Sequence, residues 1–442
     1  MRTASWKTRT TALGIVVLVA VGAVACSSTN STATATTGSS STGGTSKIPA
    51  SAFSDHTGVT PTAVDIGNVS TLSVVPGLFK GAVVGTEAYA AYVNSMGGVH
   101  GRKIVVQPAD DKFSGAGNRQ ATQSAIENDF ALVGSFSLQD SYGGALLAQN
   151  PGMPDVSVAL DLKTNHLPNV FSAVPALGGW LTGPLEYFKQ QFPSTVDKAA
   201  TLVAGTPSSQ TDWAGEKYAL EKVGFKVVYD PVYPVSQTDF TQNVIQMKNL
   251  GVKILFIDQM PANYASALLK ALVQQNFHPK VVLGAATYSN ALVAESGGAS
   301  AVNGSYLDQN YSLYLGGDAR AIPAVGTFLH WVAKTSPGFQ PDLFTLYGWL
   351  SAELFTQALQ NAGTNPSRGS LLQALSKITS FDGNHIIAPT DPAAKKVGNC
   401  YIIGEVVNGQ FVRTSANPSV SGPTHGYRCN GTYLIPPGTP GS

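Results

Sequence analysis

The chain has 442 residues, 43% of them hydrophobic and only 12% charged, with a formal net charge of +1. A chain of this length makes two or three domains with sizeable cores, and wholesale disorder is excluded. The near-zero charge gives no basic footprint for nucleic acid.

The first residues read as an export leader. Arg2, Lys7 and Arg9 precede the apolar run Leu13–Ala25. That run is shorter than the roughly 20 residues a permanent membrane span needs. It ends in "AVAC", and small residues before Cys26 resemble the lipobox of bacterial lipoproteins. Residues 1–25 are then a signal peptide and Cys26 the lipidated residue. An ordinary secretory leader with a chance cysteine is the alternative.

Ser27–Ser46, "SSTNSTATATTGSSSTGGTS", has no aromatic residue and no apolar periodicity. Such a segment cannot bury a core and behaves as a flexible coil. Residues 26–57 therefore read as a tether that lets a globular body stand off a membrane. With Cys26 assigned to the lipid, Cys400 and Cys429 remain as an even pair in an oxidising compartment, and a disulfide between them is expected.

From Val64 onward, short β-branched runs alternate with amphipathic stretches. "VDIGNVS", "KIVVQ", "FALVGSF" and "PDVSVAL" read as strands, with helices between them. The pattern restarts at Lys198: "KAATLVAG", "FKVVYD", "VKILFID" and "KVVLGAA" are strands, with helices over Trp213–Val223, Phe240–Leu250 and Tyr264–Gln275. Strands separated by helices of this length imply βαβ units and parallel sheets. Two such sets imply an α/β protein of two doubly wound, Rossmann-like lobes. Helices over Ala324–Thr335, Phe344–Ala362 and Leu371–Ile378 follow. The end, "CYIIGEVVNGQFVRT", reads as a hairpin turned at Asn408–Gly409.

"VNSMGGVHGRKI" places three glycines beside two basic residues, the composition of a phosphate cradle. Its order is wrong for one. A cradle runs strand, glycine turn, helix, so that a helix N-terminus faces the anion. Here a helix ends near Met96, and the glycines turn the chain into a strand.

The same stretch, extended to "VNSMGGVHGRKIVVQPADD", resembles the "N-x-x-GG-x-x-GRK-I…DD" segment of type I periplasmic binding proteins, in the leucine/isoleucine/valine-binding group that serves ABC importers. "GVTPTAVDIGNVS", "FALVGSFS", "TDFTQNVIQMKNLGVKILFI" and "FTLYGWLSAELFTQALQNAG" resemble further family segments in the same order. The resemblance implies two lobes joined by three crossings, with ligand in the cleft between them and hinge closure around it. One lobe would hold 58–175 plus 288–397, the other 176–287 plus 398–442.

The resemblance also points to strand-end loops for the ligand. In the first lobe these offer Phe79, Phe136, Ser137, Ser141 and Asp161; in the second, Trp213, Asp258, Gln259 and Asn263. Amino-acid binders of the family carry a threonine near Asp161 and a glutamate near Asn263. Both clamps for an α-amino acid are altered here, so an apolar, aromatic pocket with amide and hydroxyl contacts is expected.

Enzyme signatures are missing: there is no HExxH spacing among the seven histidines, no G-x-S-x-G elbow and no GK[ST] loop. Asp110–Asp111 follows a strand and reads as structural. The expected function is substrate binding for an ABC importer, by a monomer that partners a permease and a small solute. No cofactor, metal or nucleic acid is expected. A ligand sensor acting with a signalling partner is the alternative, ahead of a secreted enzyme.

Overall fold

A computed structural model describes residues 48–73, 79–175, 178–258 and 260–440. The leader, Cys26, most of the tether and Gln259 lie outside the described residues. Among the described residues no helix is long and apolar enough to cross a membrane.

The first set of elements is β1 (Ala63–Ser70), α1 (Lys80–Ser95), β2 (Lys103–Asp110), α2 (Gly115–Asn128), β3 (Ala131–Val133), α3 (Asp140–Gln149), β4 (Asp155–Val156), α4 (Leu162–Asn165) and β5 (Val170–Phe171). Its five strands form one parallel sheet in the order β2-β1-β3-β4-β5. β3 is an unbroken buried apolar run, as a parallel strand covered on both faces requires.

The second set runs β6 (Trp180–Leu181), α5 (Thr182–Gln191), β7 (Ala199–Ala200), β8 (Val203–Ala204), α6 (Pro207–Val223), β9 (Val227–Tyr229), β10 (Val232–Tyr233), α7 (Thr241–Leu250), β11 (Ile254–Ile257), α8 (Ala262–Gln274) and β12 (Lys280–Leu283). After it come α9 (Asn290–Glu295), α10 (Ala299–Val302), β13 (Tyr306–Gln309), α11 (Pro323–Thr335), α12 (Leu343–Asn361), α13 (Arg368–Leu375), β14 (Ile402–Val407), β15 (Gln410–Arg413) and β16 (Tyr433–Leu434). The second sheet has the order β15-β14-β13-β12-β11-β7-β9, and its pairs are parallel except for β13–β14 and β14–β15.

This order corrects one expectation. The second crossing was placed at 288, yet β13 pairs in parallel with β12 through Val282–Tyr306 and Leu283–Leu307. The second sheet therefore keeps the chain through Gln309, and the crossing follows it. "YLDQ", which follows two short helices, is too short to announce itself as a strand.

After that crossing, α12 returns to α1. It is buried along most of its 19 residues, as an apolar helix inside a core must be. A capping box starts it: the Thr345 N–H donates to Asp342 Oδ1 at 2.8 Å and the Asp342 N–H to Thr345 Oγ1 at 3.1 Å. The two helices touch backbone to backbone, and a Cβ on Gly85 would lie 1.9 Å from the Thr345 carbonyl oxygen.

"VNSMGGVHGRKI" is a helix stop. α1 ends at Ser95, the Gly98 N–H donates to the Val93 carbonyl at 3.1 Å, and Gly97 and Gly98 take φ of 100° and 76°. No helix begins in the turn. At the other end, β14 and β15 pair from Val407–Gln410 outward, and Asn408 and Gly409 both have positive φ, a type I′ hairpin. Cys400 and Cys429 are joined as a disulfide.

Candidate functional site

A cavity of about 430 Å³ lies between the carboxyl edges of the two sheets. Phe136 and Leu138 follow β3, Val158 and Leu160 follow β4, and Val174 follows β5. From the other side come Tyr233 at the end of β10, in the short β8–β10 pair, and, from the second sheet, Asp258 after β11, Ala285 after β12, and Asp308–Tyr311 at the end of β13. Open α/β sheets place ligands at these strand ends, where loops converge and helix N-termini point.

The wall on the first sheet's side is aromatic. Phe79, at the entry to α1, meets Phe136 and Phe344 with ring centroids 4.9 and 4.8 Å away, and Phe136 stacks on Tyr347 at 5.8 Å. Such pairs contribute about 0.5–1.5 kcal/mol each beyond their buried area. They pack these rings against one another into one continuous wall.

The opposite wall is acidic. Asp212, Asp258 and Asp308 line it, together with Thr206, Ser208 and Gln309. Burial pushes the Asp212 carboxyl up to about 7. Burial, reinforced by the Glu216 carboxyl, pushes Asp258 well above the usual carboxylate range. Burial and the charge of Asp258 do the same to Asp308. Gly284 makes room for this cluster: a Cβ there would stand 2.3 Å from Asp258 Oδ1. Among the described residues no lysine, arginine or histidine lines the cavity.

Of the expected site residues, Phe79, Phe136 and Asp258 meet at the cavity. Five others do not line it. Ser137 is buried, its hydroxyl donating to Asp111 and accepting from the Gln139 N–H. Ser141 is exposed on α3. Asp161 caps α4, accepting from the Thr164 N–H at 2.9 Å and the Thr164 hydroxyl at 2.8 Å. Asn263 is exposed on α8, while its neighbours Pro261 and Tyr264 reach the cavity.

Trp213 is the instructive case. "GTPSSQTDWAG" reads as a loop up to Trp213, but Thr206 caps a helix that starts at Pro207. A helix turns about 100° per residue. Trp213 therefore packs into the core beneath the second sheet, its Nε1 donating to Asp230 at 3.2 Å, and Asp212 takes the cavity side. The Thr-Pro pair was the signal that could have found this.

Asp110 and Asp111 are structural. Asp111 is fully buried and accepts from the Thr71 hydroxyl at 2.7 Å and from Asn118 at 3.3 Å. Hydrogen bonds from Ser73, Leu72 and Lys112 outweigh a desolvation cost that would raise Asp110, and hold it at about 2. Among the described residues no cluster of three His, Cys, Asp or Glu is placed to hold a metal.

Residues 63–410 match a family model described as periplasmic binding protein. No curated protein matches the chain. Solved structures do. A putative branched-chain amino acid ABC transporter protein from Rhodospirillum rubrum is 20% identical, with a TM-score of 0.60 over 80% of this chain and 100% of that one. A fatty acid ABC transporter substrate-binding protein from Thermomonospora curvata is 16% identical, with a TM-score of 0.67 over 87% of this chain and 95% of that one. An R. palustris solute-binding protein in complex with benzoate is 18% identical, with a TM-score of 0.65 over 82% of this chain and 99% of that one. With two doubly wound sheets facing across a cavity and the family's match spanning most of its length, the chain belongs to the type I periplasmic binding proteins.

Proposed function

We propose that this protein is the extracytoplasmic capture component of an ABC importer, held to the outer face of the cytoplasmic membrane by a lipid on Cys26. It takes up one small organic solute as a monomer, closes its two lobes about the crossings, and hands the solute to a permease. The observation that carries this reading is the cavity between the two sheets, walled from both sides and large enough for a small organic molecule. Closure follows from that geometry: a solute touching both walls binds the closed form better than the open one and shifts the population toward it.

The aromatic wall argues for a solute with an apolar or ring-bearing body. Among similar folds, the Thermomonospora curvata fatty acid ABC transporter protein and the R. palustris protein bound to benzoate are substrate- or solute-binding proteins whose named ligands are not amino acids.

Mass spectrometry of the small molecules released when gently purified protein is denatured tests this reading. We expect one unmodified solute in near-stoichiometric amount. Release of a converted product, with turnover of its precursor, would contradict capture and favour chemistry.

A further inference from the structure

We propose that the solute is an organic cation: an amine bearing N–H donors on an apolar or aromatic body, without a carboxylate. This rests on the solute-binding reading and adds the charge class of the solute.

Three buried groups on the second wall lack partners. Asp308 is 8% exposed, Gln309 5% and Tyr233 1%; all three line the cavity, and Asp308 Oδ1, Gln309 Oε1 and the Tyr233 hydroxyl make no hydrogen bond. The Gln309 amide nitrogen is already spent, donating to the Tyr311 and Ser312 carbonyls at 3.1 and 3.0 Å. Asp308 Oδ1 and Gln309 Oε1 are unmet acceptors, and the Tyr233 hydroxyl can accept as well as donate. A buried acceptor left unpaired costs about 1–3 kcal/mol, so the site calls for a ligand that donates. An ammonium group carries up to three N–H donors and a positive charge.

The charge balance points the same way. Three carboxyls line this wall and no basic side chain among the described residues faces them. Buried carboxyls without a counter-ion are costly to ionise, and a bound cation supplies the missing partner. The aromatic rings opposite suit a cation as well, since ring faces attract positive charge.

A carboxylate meets the reverse situation. Three N–H groups of the first-sheet loops are consumed internally. The Phe136 N–H donates to Ser70 Oγ at 3.0 Å, and the Leu160 and Asp161 N–H groups donate to Asp140 at 2.6 and 2.9 Å. An anion would find these donors occupied and three acids across the cavity.

Titration of the mature full-length chain with 2-phenylethylamine, 2-phenylethanol, 3-phenylpropionate and leucine tests the proposal, because the first three share one body and differ in charge. We expect the amine to bind at least about tenfold tighter than the alcohol, with no measurable binding of the acid or of leucine. Asp308→Asn should weaken the amine about tenfold and leave the alcohol within about twofold. Asp212→Asn serves the same purpose if the first variant does not fold. Acid, alcohol or leucine binding as tightly as the amine overturns the proposal but leaves solute capture standing. If all four are silent, the charge of the solute released on denaturation decides: a cation supports the proposal, an anion or neutral compound overturns it. Silence with no released solute overturns both readings.

Discussion

Asp318→Ala should lower the unfolding free energy by about 3–5 kcal/mol, read as a shift of the denaturant midpoint at unchanged slope. Asp318 is 4% exposed and sits just after the second crossing. Arg413, at the end of β15, grips it with Nε at 2.9 Å and Nη2 at 2.7 Å, while Nη1 donates to the Gly426 carbonyl at 2.9 Å. The Leu313 N–H adds a bond to Asp318 Oδ2 at 2.6 Å. Removing the carboxylate leaves a nearly buried guanidinium and a buried N–H without partners, and that penalty exceeds the net worth of the pair. Arg413→Lys keeps the charge but loses the fork, so it should cost less. A loss below about 1 kcal/mol for Asp318→Ala would show the pair to be idle.

The ligand-free protein should grow less stable as pH rises from 5 to 8. Burial raises Asp155 and Glu353 to about 7 and Asp129 to about 6. The cavity's Asp212, raised to about 7, acts in the same direction. In the unfolded chain these groups titrate near 4. Between pH 4 and 7 the folded state therefore binds more protons than the unfolded one, and stability falls with rising pH.

Two opposing groups do not disturb that window. Asp110, held at about 2, contributes stability that is fully present above about pH 4 and is lost only as pH falls toward 2. Lys395, lowered to about 8 mainly by burial, imposes a cost that is constant below that pH. Differential scanning calorimetry should show Tm falling by roughly 5 °C between pH 5 and pH 8. A flat or rising profile would mean that these carboxyls find partners or solvent that the fold does not provide.

What the sequence revealed depended on how local the determining physics was. The hairpin at Asn408–Gly409 and the helix stop at Gly97–Gly98 were legible, because positive φ at those residues is a property of a few adjacent positions. The parallel sheets were legible from runs such as "ILFI", buried at every position. β13 was not, because its four residues gain strand character only from β12 and β14 on either side.

The site divided in the same way. Phe79 and Phe136 line the cavity because they stand beside recognisable elements, the start of α1 and the end of β3. Asp161 and Trp213 do not line it, because one short polar signal, a cap, decides whether a side chain faces a cavity or its own helix. The acidic wall was hidden for a different reason. Asp212, Asp258 and Asp308 are 46 and 50 residues apart in succession, and only the closing of the second sheet brings them together.

The central claim is that solute binds between the two walls. Its most direct test is calorimetric titration of the wild-type protein and of Phe136→Ala with the solute that the protein releases on denaturation. The account predicts one site per chain in the wild type and binding about tenfold weaker in the variant, whose aromatic wall has lost its central ring. Undiminished binding by Phe136→Ala, with its fold intact, would place the solute elsewhere and contradict the account.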